Sequence, residues 1–217
     1  TLSTGGTTTA AGNLLLKASG ATSDITLNAD VESTAGHISL DAGQDVLQNA
    51  DITTASGNTI DVLAARAITM DNGTQTISNN GNIRYAAKPT GASTATNELT
   101  LSSLNAGTGH ISLVAGSILD GGDTHVDLIA DTLRLYATLG IGNDGTNVNA
   151  IDTTVHTLTA SARANGVFIN ETDALTIDNV AAISVNTVGN NASVSTTTDA
   201  AQEDVTTIID GSVVIES

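Results

Sequence analysis

Apolar residues in this chain come in short bursts, separated by single residues. Leu14, Leu16 and Ala18 form one such set, Ile25, Leu27 and Ala29 a second, and Ile38, Leu40 and Ala42 a third. Alternation at period two is the signature of a β-strand with one buried face; a helix would need apolar residues at i, i+3, i+4 and i+7, and these segments lack that spacing. Two stretches are near twins. Gly36-His37-Ile38-Ser39-Leu40-Asp41-Ala42-Gly43 and Gly109-His110-Ile111-Ser112-Leu113-Val114-Ala115-Gly116 both read Gly-His-Ile-Ser-Leu-x-Ala-Gly. Related units begin at Gly12, Gly57 and Gly81, so the starting glycines recur every 21 to 28 residues. That period is too short for a propeller blade of about 40 residues and suits one coil of a parallel β-solenoid. At about 22 residues per coil the chain makes about ten coils of 20–28 residues.

The pattern breaks twice. Residues 85–98 contain Lys88-Pro89-Thr90-Gly91 and the only proline, and they read as a surface loop because proline removes a ladder donor. Residues 138–150 are glycine-rich and turn-like. Strands are expected again at Val126–Ala130, Leu133–Ala137, Leu158–Ala160, Gly166–Ile169, Leu175–Ile177, Ile183–Val185, Val205–Ile208 and Val213–Ile215. The best helical stretch, 199–204, is short. Residues 1–217 thus read as a single parallel β-helix segment. The chain opens on Thr1 rather than Met and reads as an internal fragment of a larger polypeptide.

Composition sharpens this picture. With 40% hydrophobic residues the chain can bury a core, and with 1% aromatic residues that core must be aliphatic. Six Lys and Arg against 23 Asp and Glu give a formal net charge of -17, which is the reverse of a nucleic-acid-binding footprint and disfavours anionic membrane surfaces. Cysteine is absent, so no disulfide is needed.

At its Gly-x-Ile-x-Leu-x-Ala units, over about residues 12–185, the chain resembles the repeat region of filamentous haemagglutinin-type exoproteins. These are secreted Gram-negative adhesins, including two-partner-secretion and contact-dependent-inhibition stalks. The resemblance implies an all-β, right-handed parallel β-helix, export to the cell surface or medium, and service as a structural stalk or adhesive filament. Its partners would be neighbouring coils of the same protein, identical subunits end to end, or a surface receptor or glycan, with neither nucleic acid nor membrane insertion. The family brings no catalytic residues to carry over.

Candidate chemistry is sparse. His37 and His110 share a repeat position, but they lie about three coils apart, roughly 15 Å at about 4.8 Å per coil, too far to share an ion. They read as outward polar strand residues. His125 and His156 have no ligand-spaced partner. Asp120-Gly121-Gly122-Asp123 and Asn143-Asp144-Gly145 offer carboxylates and carbonyls on glycine turns, so Asp120, Asp123, Asn143 and Asp144 are candidate calcium ligands, although ordinary turn chemistry also explains them. No nucleophile elbow is present. A solenoid lyase or hydrolase would need paired carboxylates and usually aromatic platforms or a basic cleft. Carboxylates such as Asp41 and Asp61 therefore read as a solvated face, and no enzyme is expected. Threonine runs (Thr7–Thr9, Thr196–Thr198) do not recur at one coil position, as an ice-binding array would require. The alternative to a stalk is a carbohydrate- or calcium-binding solenoid whose loops, near 85–98 or 138–150, carry recognition.

Overall fold

The computed structural model describes residues 1–87, 97–122, 125–143 and 149–217. The chain winds into a parallel β-solenoid with three strand faces per turn. The first face stacks Leu2–Thr4, Ile25–Leu27, Val46–Gln48, Ile68–Met70, Glu98–Leu101 and Ser117–Asp120. Its ladder continues through bridges from Ile118 to Ile141 and from Ile141 to Val167. The second face runs from Thr8–Ala10 through Val31–Ser33, Ile52–Thr54, Gln75–Ile77 and Ser103–Asn105. The third runs from Leu14–Ala18 through Ile38–Ala42, Ile60–Ala64, Ile83–Ala87 and His110–Ala115. The second and third faces merge at the two longest strands, Leu128–Ala137 and Ile151–Ala162, which cross the corner without a break.

The alternation seen in the sequence becomes inward columns. On the third face one column runs Leu14, Ile38, Ile60, Ile83, Ile111, Leu133, Leu158 in direct register. A second runs Leu16, Leu40, Val62, Tyr85, Leu113, Leu135, Ala160. Apart from Leu16, which is partly buried, both columns are sealed from solvent. Each apolar side chain thus meets a similar one above and below, which buries a continuous core although no single coil could. Seven strands stack on this face, so the solenoid has about seven turns rather than ten. The shortfall arises because the turns on this face take 22 to 28 residues and because the segment between Ile177 and Val205 leaves the stack.

Glycines mark the corner before the third face because successive backbones touch there. A Cβ on Gly36 would lie 2.3 Å from the Gly12 carbonyl carbon, and one on Gly109 2.3 Å from the Gly81 carbonyl oxygen. Gly57 is one residue out of this register. The stacking position in its coil is Asn58, and Gly57 instead serves a turn with φ of 78°.

The core is not purely aliphatic. Tyr85 is fully buried where other coils place Leu or Val. Its hydroxyl donates to Gln48 Oε1 at 2.8 Å and lies 2.7 Å from Thr76 Oγ1, while Gln48 Nε2 donates to Thr76 Oγ1 at 3.0 Å. Burial raises the Tyr85 pKa well above that of free tyrosine, so the phenol stays neutral. On the second face the inward column ends on Thr153 and Glu171. The buried Glu171 carboxylate accepts from Thr153 Oγ1 at 2.8 Å and from the Val155 and Thr172 N–H groups, which satisfy its charge in place of a cation.

The final coil is interrupted. Thr176–Ile177 pairs with Thr157 and Leu158, and Val205–Thr207 pairs with Ala160 to Ala162, so one strand's position is filled in two pieces. Between them the chain makes an antiparallel hairpin arm, Ile183–Val188 against Val194–Asp199, closed at its base by a Val180–Gln202 bridge. The strand expected at Ile183–Val185 is therefore present, but outside the parallel stack. The stretch 199–204 is no helix; Asp199 ends the arm's second strand. The Pro89 loop lies largely outside the described residues.

Candidate functional site

The acidic composition has a structural use at the turns. Asn and Asp side chains repeatedly accept the backbone N–H of the equivalent position one coil on. Asn13 Oδ1 accepts from His37 N at 3.0 Å, Asp24 from Asp45 at 3.2 Å, Asp45 from Ala67 at 3.1 Å, and Asp51 from Gln75 at 2.8 Å. Asn82 accepts from His110 N and Asp127 from Asp152 N. Corner amides that would otherwise lack partners are thereby satisfied. Arg66 also pairs with Asp45 and, with the Ala67 N–H, holds that carboxyl below the usual range against a desolvation that pushes it up.

The two histidines of the twin motif do similar work. Each contacts the threonine directly above it: Thr59 N–H donates to His37 Nδ1 at 3.0 Å, and Thr132 Oγ1 lies 2.7 Å from His110 Nδ1. Three coils separate them in the ladder. Among the described residues no three His, Asp or Glu side chains form a group that could hold a metal ion. Asp120 ends a first-face strand and its Oδ1 accepts the Gly122 N–H at 2.9 Å, while the Asn143 N–H donates to the Asn149 carbonyl. Asp123 and Asp144 lie outside the described residues. His125 and His156 are exposed.

The arm creates the most elaborate polar surface. It lies against the outer side of the third face and runs back along the stack as far as Asn13, whose Nδ2 donates to the Ala192 carbonyl at 3.4 Å. Beneath it is the outward column Ser39, Asp61, Arg84, Ser112, Arg134, Thr159, and all six are buried. Val188 N donates to Ser39 Oγ and Thr187 Oγ1 to Asp61 Oδ2. Arg84 Nη1 donates to Asp61 Oδ1 at 3.0 Å and Nε to Asp199 Oδ2 at 2.9 Å; Ser112 Oγ donates to that same oxygen at 2.8 Å. Arg134 Nε donates to the Ala200 carbonyl at 2.8 Å. Burial works against the Arg84 charge, but Asp61 and Asp199 outweigh it and raise its pKa. Arg134, with no direct carboxylate partner, is lowered, mainly by burial. The arm's own apolar side chains, Ile183, Val185 and Val188, are buried yet stand apart from the solenoid's core cluster. Docking thus rests on a polar network laid over an independently packed rod.

Sequence reading assigned Asp61 to a solvated face and did not pick out Arg84 or Arg134. The available signal was the x position of Ile83-Arg84-Tyr85 and Leu133-Arg134-Leu135. Two of only six cations stand on one outward column, which asks for a counter-charge.

A cleft of about 530 Å³ opens at the far end of the first face, between Leu119, Gly142, Phe168, Asn165, Asp210 and Ser212. It includes Gly140, Gly142 and Asn143 from the glycine-rich stretch. No family model, curated protein or solved structure matches the chain.

Proposed function

We propose that this chain is a rigid spacer, a stalk or adhesive-filament segment of a secreted or surface-displayed bacterial exoprotein, and performs no catalysis. The observation that carries this reading is the uninterrupted inward ladder of the third face, in which each strand from Ile38–Ala42 to Leu128–Ala137 is hydrogen-bonded to one below and one above. Such a stack resists bending and extension because the backbone amides of its strands pair along the long axis. The resemblance of the Gly-x-Ile-x-Leu-x-Ala units to filamentous haemagglutinin-type repeats supports the surface location. Partners on this reading are further coils of the same protein, or identical subunits, meeting the strand edges of the first and last turns. The test is antibody labelling of intact producing cells, with surface protease treatment as a second readout. Labelling removed by protease is the expected result; signal only after lysis overturns it.

A further inference from the structure

We propose that the Phe168 cleft is a binding site for a neutral oligosaccharide. This gives the alternative of loop-borne recognition a specific place, and it stands independently of the spacer role.

Phe168 is the only phenylalanine in the chain, and it is half-buried on the outer side of the stack rather than in the core. The backbone around it is shaped to receive it. A Cβ on Gly142 would lie 2.4 Å from the Phe168 carbonyl oxygen, so the two backbones touch there, and one on Gly166 would lie 2.8 Å from the ring's Cε2, so the ring edge lies against the Gly166 backbone. Four left-handed residues surround it: Gly142 at φ 66°, Gly166 at 89°, Asn165 at 59° and Asp210 at 40°. The two that are not glycine are Asn and Asp, the other residues that take this conformation readily, and they shape the turns that wall the cleft.

The polar groups of the cleft differ from the turn side chains that brace successive coils. The turn Asn and Asp side chains described above are engaged on the backbone of the next coil. The Asn165, Asp210, Ser117 and Ser212 side chains make no hydrogen bond among the described residues, although they ring one concavity. The backbone of the strand bearing Phe168 is already engaged, since Val167–Glu171 pairs with Ile151–Thr153 and with Val213–Glu216. Among side chains the cleft offers a ligand one aromatic ring, two hydroxyls, an amide and a carboxylate. That combination suits a pyranose, whose C–H face packs on the ring while its hydroxyls donate to Asp210 and exchange hydrogen bonds with Asn165 and the serines. A lone carboxylate is too few oxygens for calcium, and Asp210 on a chain of net charge -17 repels uronates and sulfated glycans. The volume falls within the range of small-molecule sites.

The unique phenylalanine supplies its own probe. With the full chain labelled selectively at Phe, the ring gives a single set of NMR signals. These would be followed during titration with cellopentaose, maltopentaose, laminaripentaose, chitopentaose and mannopentaose, with tri-galacturonate as the anionic comparison. The expected result is saturable movement of the ring signals with at least one neutral sugar and none with tri-galacturonate. Calorimetry with that sugar should show affinity reduced at least tenfold by Asp210→Asn and abolished by Phe168→Leu. Circular dichroism and melting of each variant would establish that it is folded. Static ring signals with all five neutral sugars, or movement with tri-galacturonate alone, overturn the proposal, as does undiminished affinity in folded Phe168→Leu. None of these outcomes bears on the spacer role.

Discussion

At the scale of single residues, buried polar groups are where this rod is most sensitive. Tyr85, Gln48 and Thr76 satisfy one another inside a core otherwise made of aliphatic columns. Tyr85→Phe keeps the ring but removes the hydroxyl, which leaves Gln48 Oε1 short of its donor in a site closed to water. The expected loss is about 1–3 kcal/mol in urea unfolding; a variant as stable as the parent would show that the triad adds nothing. His37 offers a pH-dependent counterpart. Its Nδ1 accepts the Thr59 N–H, and its Nε2 lies 3.1 Å from the Asn186 amide of the arm. Burial lowers its pKa below 6.5, so the docked state holds imidazole neutral while the undocked state takes up a proton first. Arm docking should therefore be fully stable above about pH 6.5 and weaken as pH falls from there through the folded pKa. Hydrogen exchange of arm amides at pH 7 and pH 5.5, corrected for intrinsic rates, checks this, and His37→Gln should flatten the dependence.

At the scale of elements, the arm and the stack obey different rules. The stack was legible in the sequence because each inward position repeats its own kind: Leu14, Ile38, Ile60, Ile83 and Ile111 announce both strand and register. The arm was not, because Ile183-Ser184-Val185 alternates like any coil strand and only its distant partners set it apart. Its recognition depends on Arg84 reaching Asp61, one coil below it in register, and Asp199, which lies on the arm outside the repeat. The Phe168 cleft was hidden for a similar reason, since Gly142, Asn165 and Asp210 meet only through the stacking of three successive coils. The glycine-rich signal at 138–150 marks one wall of it, where the sequence raised carbohydrate or calcium recognition without choosing between them. Asp199→Ala removes one of the two carboxylates that neutralise a guanidinium only 2% exposed. Breaking such a pair typically costs about 3–5 kcal/mol. The cost should fall on the arm: its amides should exchange at least a hundredfold faster, while those of the core columns, whose packing does not include it, hold their protection. Equal acceleration throughout would mean that arm and rod unfold as one unit.

At the scale of the whole molecule, two global features oppose each other: close stacking and a large unbalanced charge. Stacking sets a strict limit at the glycine corner. A Cβ on Gly81 would lie 1.8 Å from the Asn58 carbonyl oxygen, so Gly81→Ala must lift one coil off another near the middle of the stack, at a cost of about 1–3 kcal/mol or more. The charge acts along the whole length. Of 23 acidic residues a few are neutralised by Lys17, Arg66 and Arg84, and others serve as acceptors for the next coil's amides. The remainder face solvent on a chain of net charge -17, and their mutual repulsion is relieved when the chain expands on unfolding. Screening removes that repulsion with a Debye length of about 30 Å at 0.01 M salt and about 10 Å at 0.1 M, so the melting temperature at pH 7 should rise as sodium chloride is raised across that interval. A specific calcium site would behave otherwise: micromolar calcium would raise the melting temperature at constant ionic strength, and EDTA would lower it. Because the turn carboxylates are already committed to backbone amides, the expected outcome is a rise with sodium chloride and no response to EDTA. A melting temperature that follows calcium at fixed ionic strength would show a calcium site, with Asp120 and its neighbours the first residues to substitute.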